Sequence, residues 1–273
     1  MKAMYCNILV FLILFGAKSV NAQEVDDERE FDYSKDGEKG PTKWGQIKQE
    51  WGACSNGTMQ SPIDLSSERV QIILKPEKKN YEAAHAIIKN RGHDLQIEWV
   101  GDGGWTSING DDYRLRYAHW HSPSEHTVNG RSYDMELHLV HLNTNPDVGN
   151  YKIAVVGVLY KIGRADKFIS RLITDISSMM DKKNATRDLG TIDPNDINTQ
   201  SKRFFRYIGS LTIPPCTQGV IWTINKKVKT VSRDQVKWLR DAVHDHAEEN
   251  ARPLQERNSR DVELYLPLLN TNN

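Results

Sequence analysis

His119 and His121 stand two residues apart in the run from Tyr117 to Asn143, YAHWHSPSEHTVNGRSYDMELHLVHLN. On a β-strand, residues two apart point to the same face, so these two imidazoles project into one space. The next alternating run, MELHLVHL, carries His138, and Asn129-Gly130 lies between the two runs. Asn-Gly is a strong chain-reversal signal, which predicts that the second strand returns beside the first. Three imidazoles from two neighbouring strands, with no fourth protein ligand in view, suit zinc with one position left for water. A lone strand histidine is more often a core or surface residue. Glu136 favours the ligand reading, because it lies two before His138 on the same face, where its carboxylate accepts the ring N–H of a metal-bound histidine.

Composition bounds the alternatives. The 273 residues carry 36 Lys plus Arg against 36 Asp plus Glu, so no basic field points to nucleic acid or an anionic membrane. Residues 1–22 read as a secretory signal: Lys2 precedes an apolar run from Ile8 to Phe15, and Val20-Asn21-Ala22 offers a cleavage site. That run is too short to span a bilayer, which needs about 18 or more apolar residues, so no membrane span is expected after cleavage. Residues 23–30 read as an acidic flexible tail and 269–273 as a C-terminal tail. Export makes Asn56 and Asn184, each followed two residues on by Thr, candidate glycan acceptors. Cys6 leaves with the signal; Cys54 and Cys216 remain, as one bridge or two buried thiols. A bridge closing so long a loop would contribute roughly 4 to 5 kcal/mol.

The motifs H-W-H-S-P-S-E-H-T and E-L-H-L-V-H resemble the α-class carbonic anhydrases in the form found in plants and bacteria. The resemblance runs from about Phe31 to Leu266, and residues 31–268 are taken as one domain. It implies a mainly β fold: a large twisted, mostly antiparallel central sheet with short peripheral helices and the metal in a cleft. Reversible hydration of CO2 to bicarbonate and a proton, by hydroxide on a Zn2+ held by three histidines, is the implied activity. CO2 and bicarbonate are then the partners, and the secretory or endomembrane route, with plastid delivery open, the implied location. The family also implies the Cys54–Cys216 bridge and a cis bond at Ser61-Pro62, within Gln60-Ser61-Pro62-Ile63.

Residue by residue, the resemblance assigns His119, His121 and His138 as ligands. Thr212, in Gly209-Ser210-Leu211-Thr212-Ile213-Pro214-Pro215, matches the threonine that accepts the hydroxide's proton, and Glu125 the carboxylate behind it. His93 matches the proton shuttle, Tyr33 a tyrosine of the water network, and Val140, Val155, Leu211 and Trp222 the apolar wall beside CO2. His126 and His141 read as structural, and His85, His244 and His246 as surface. Three positions depart from the pattern: Tyr117 replaces a glutamine that supports the first ligand, Arg91 an asparagine near the shuttle, and Ile213 a more polar residue. An active but slower enzyme is expected. The alternative is a storage or binding protein on the same scaffold, as in the yam dioscorins, although relatives that drifted that way lose a ligand histidine. Oligomeric state is not legible.

Periodicity predicts strands over 94–100, 113–120, 136–142, 153–162 and 220–224, and helices over 166–180 and 233–249, the second with a Ser232/Gln235 capping box.

Overall fold

The computed structural model describes residues 30–66, 70–73, 78–143, 145, 152–180, 182–199, 201–243 and 249–267. The signal segment, the tail up to Arg29, the residues after 267, and His244 and His246 lie outside the described residues. The strands are β1 (Val70–Ile73), β2 (Lys78–Tyr81), β3 (Ala84–Asn90), β4 (Leu95–Trp99), β5 (Gly104–Ile108), β6 (Asp111–His121), β7 (Met135–Leu142), β8 (Ile153–Ile162), β9 (Thr186–Ile192), β10 (Phe204–Ser210), β11 (Gln218–Asn225), β12 (Lys229–Val231) and β13 (Val262–Tyr265). The helices are α1 (Trp44–Ile47), α2 (Ala53–Asn56), α3 (Lys167–Ser178) and α4 (Arg233–Asp241). No helix among the described residues is long and apolar enough to cross a membrane.

All these strands join one sheet, whose main path runs β1-β13-β10-β11-β8-β7-β6-β4-β3-β9. Its pairings are antiparallel except β1 with β13 and β8 with β11 and β12, so the sheet is mixed and mostly antiparallel, as the resemblance implies. β6 begins with outward Arg114 alternating with buried Tyr113 and Leu115. A register shift between Leu115 and Tyr117 then reverses the parity. Leu115, Ala118 and Trp120 therefore share one core with Leu137 and Leu139 of β7, while Tyr117 packs on the opposite side with Val140. The bulge thus turns His119 and His121 toward that second side. Asn129 and Gly130 both have positive φ, at 51° and 74°, and close the excursion between β6 and β7.

The first core is closed by the apolar faces of α3 and α4, through Phe168, Ile169, Leu172 and Ile176 and through Val236 and Leu239. Asp166 caps α3, accepting from the Phe168 and Ile169 N–H groups, and the expected capping box begins α4. α4 ends at Asp241, well before residue 249; the sequence after Val243 is polar and offers no apolar stripe to continue burial. The aromatic segment from Phe31 is pinned by ring burial: Phe31, Tyr33, Trp44 and Trp51 form a cluster with Ile213, Val243 and the joined pair Cys54–Cys216. That bridge fixes the loop after Thr212 to α2.

Candidate metal centre

Strand pairing builds the site. His119 on β6 lies directly opposite His138 on β7, and His121 opposite Glu136. All three histidines are buried, and one ring nitrogen from each lies within 4.8 Å of the others. His138 Nε2 is 2.9 Å from Glu136 Oε1, which leaves Nδ1 for a metal. His121 Nδ1 is 2.7 Å from the Asn250 carbonyl, which leaves Nε2. That Nε2 is buried with no hydrogen-bond partner, as is Glu125 Oε2, 3.5 Å away. Buried polar atoms normally find partners, so an unpartnered imidazole nitrogen that sits within reach of two further histidine rings is what a cation site would account for. The donor set and its orphans fit Zn2+. His126, Glu136 and His138 lie equally close together, but there the carboxylate already bridges the two rings, so that grouping is satisfied without an ion.

Electrostatics keep the donors in the state a cation needs. Burial pushes the His119 pKa well below its ordinary value and that of His138 below as well, so both rings stay neutral. For Glu136 burial acts the other way, but the facing His126 and His138 hold the carboxyl well below the usual range. Its other oxygen accepts from the Glu125 and His126 N–H groups, at 3.0 and 2.8 Å. His126 continues the network, with Nδ1 2.8 Å from Glu136 Oε1 and Nε2 2.7 Å from the Tyr207 hydroxyl, which meets Ser61 Oγ at 2.7 Å. Gly157 faces His138 on β8; a Cβ there would come 2.4 Å from Ile224 Cδ1 and 3.1 Å from Glu136 Oε1.

The expected apolar wall is brought together by register. Tyr117, Val140, Val155 and Trp222 are successive cross-strand partners across β6, β7, β8 and β11. Leu211 joins the same cluster, and the Trp222 ring lies 4.7 Å from His138. Glu125 is fixed by the Arg252 backbone N–H, which donates to Oε1 at 3.0 Å. Thr212 is buried as well, but Glu125 Oε2 takes no hydrogen bond from it or from any other described residue. Ile213 turns into the Phe31 cluster, which is why an apolar residue is accommodated there.

The shuttle candidate is placed differently from a surface residue. His93 is 2% exposed, with its ring 5.0 Å from Phe31 and its Nε2 3.8 Å from Asp94 Oδ2. Arg91 is also buried, and its guanidinium is bound by Asp94, Nε donating to Oδ1 at 2.7 Å and an Nη to Oδ2. The added cation is thus locally neutralised. Burial would raise the Asp94 carboxyl, but Arg91 and His93 hold it well below the ordinary range. Arg91 also lies over the Tyr117 ring, 5.9 Å from its centroid. Asn56 and Asn184 are both exposed, Asn184 at a turn with positive φ. Asn250 and Arg252 escaped the sequence reading, since neither has a spacing that ties it to the histidines.

The fold and a buried three-histidine centre on adjacent antiparallel strands define a class. The eukaryotic-type carbonic anhydrase family matches residues 39–265, and the chain belongs to it. It is 50% identical over 260 residues to carbonic anhydrase Nec1 of Nesocodon mauritianus, covering 95% of this chain and 94% of that one. It is also 50% identical over 248 residues to alpha carbonic anhydrase 7 of Arabidopsis thaliana, covering 90% and 88%. Among solved structures, dioscorin complexed with ascorbate superposes with a TM-score of 0.83 at 41% identity, covering 88% of this chain and 99% of that one.

Proposed function

We propose that this chain interconverts CO2 and bicarbonate with a zinc ion held by His119, His121 and His138. The observation that carries the reading is the convergence of three buried imidazoles to within 4.8 Å in a chain of this family. Bound there, zinc would supply Lewis acidity that brings a water's pKa to about 7, the behaviour carbonic anhydrases are known for. The chain's own residues do the rest. Glu125 is anchored by Arg252 through Oε1, which leaves Oε2 open; with zinc in place Oε2 would accept from the Thr212 hydroxyl, a contact not made in this structure, and Thr212 would then accept the proton of the reacting water and orient it. The row of Val140, Val155 and Trp222, with Leu211, keeps the CO2 side dry. His93, beside Phe31 and Asp94, relays the released proton.

The leader at 1–22 and the Cys54–Cys216 bridge support delivery into the secretory route, with glycans on Asn56 and Asn184. The likeness to dioscorin supports a second reading, a storage or binding protein with weak turnover. Presence of all three ligands argues for the enzyme. CO2 hydration by the purified mature protein, with zinc measured on the same sample and His138→Gln beside it, separates them. Hydration that needs one zinc per chain and vanishes in the variant supports the enzyme; folded protein without zinc supports storage or binding.

A further inference from the structure

A histidine that coordinates through Nε2 carries its proton on Nδ1, and an acceptor for that proton fixes the ring and raises its basicity. His121 has the Asn250 carbonyl, and His138, turned the other way, has Glu136. His119 has neither: its Nδ1 is buried with no hydrogen-bond partner among the described residues. Tyr117, two residues earlier on the strand, offers it a tilted ring at 5.9 Å where a side-chain amide would reach.

We propose that Gln96 is the positioning residue for His119, its side-chain carbonyl accepting the Nδ1 proton when zinc is bound; the inference rests on the zinc reading above. Gln96 is the direct cross-strand partner of His119 in the β4–β6 pairing. Side chains so paired have Cβ atoms about 4.5–5.5 Å apart, within the span of a glutamine. Only 7% of Gln96 is exposed, and its amide makes no hydrogen bond among the described residues. The other polar neighbour on this strand segment, Asp94, already has both oxygens on Arg91. The amide that Tyr117 displaces from its own strand is thus supplied from the strand beside it. Gln96, His119 and His138 then form one row across β4, β6 and β7.

The test is a cycle of zinc affinities by chelator competition on the full mature chain: wild type, Gln96→Ala, Tyr117→Gln, and the double variant, with folding of each checked by near-UV circular dichroism. Gln96→Ala is expected to weaken zinc about 10 to 100-fold. In the Tyr117→Gln background, where an amide stands two residues before His119, the same change is expected to cost less than about 3-fold, because the acceptor is restored. Gln96→Glu, which keeps an acceptor, is expected to hold zinc as the wild type does. Equal affinity of Gln96→Ala and wild type overturns the proposal, and so does an equal loss in both backgrounds, which marks packing alone. A folded wild type that binds no zinc overturns the zinc reading itself, and this inference with it.

Discussion

Glu136 Oε1 stands 2.9 Å from His138 Nε2, and the same oxygen meets His126 Nδ1 at 2.8 Å. One carboxylate therefore sets the tautomer of a candidate ligand and ties it to a histidine outside the triad. With its other oxygen on two backbone N–H groups, Glu136 has no spare capacity.

Glu136→Gln puts an NH2 where every neighbour donates. It is expected to weaken zinc about 10 to 100-fold, read by chelator competition. Unchanged affinity would separate this carboxylate from the metal.

The Arg91–Asp94 pair gives a pH signature. Because the folded state holds the Asp94 pKa below its unfolded value, the pair's stability is fully present above the ordinary carboxylate value of about 3.9. It is lost as pH falls through and below that point. Asp94→Asn, which strands a buried guanidinium, is expected to cost about 3–5 kcal/mol at pH 7. In urea titrations the gap from wild type should narrow between about pH 5 and pH 2.5; a gap independent of pH contradicts the assignment.

The bridge between Cys54 and Cys216 should matter for both stability and turnover. Arg252 donates from Nη2 to the Cys54 carbonyl at 2.9 Å, and its own N–H fixes Glu125. Cys54→Ala with Cys216→Ala is expected to lower stability by up to about 4 to 5 kcal/mol in thermal melts. CO2 hydration should fall more steeply on warming than in the wild type. Equal inactivation temperatures would show that the Thr212 loop holds without it.

If His93 relays protons from its buried position, His93→Ala lowers kcat in dilute buffer by about 10²-fold while kcat/KM stays near wild type. Free imidazole then restores the rate. Loss of stability with unchanged kcat would make the ring a packing residue under Phe31.

The strands that bear the site were legible because they are buried on both sides or alternate cleanly: β7, β8 and β11 match their expected spans within two residues at either end. β9 was not, since its sequence TRDLGTI is half polar and lies at a sheet edge, where packing demands little pattern. Short β1, β2 and β12 likewise carry too few residues for a period. The convergence of the three histidines could be read from two-residue spacing and one Asn-Gly reversal. The β6 bulge could not, although it decides which side the histidines take, because Arg116 looks like any outward residue of an alternating strand. Nor could burial of His93, which depends on Phe31 arriving from 62 residues upstream in a segment without regular structure.

Asn250 and Arg252 complete a site whose ligands end at residue 138. A ribosome makes the chain from the other end, at about 5–20 residues per second, so the three histidines exist on the order of ten seconds before the groups that steady His121 and Glu125. During that interval the nascent protein carries the three histidines without two of the anchors around them. A message truncated ahead of codon 250 would yield the three histidines without the groups that hold His121 and Glu125.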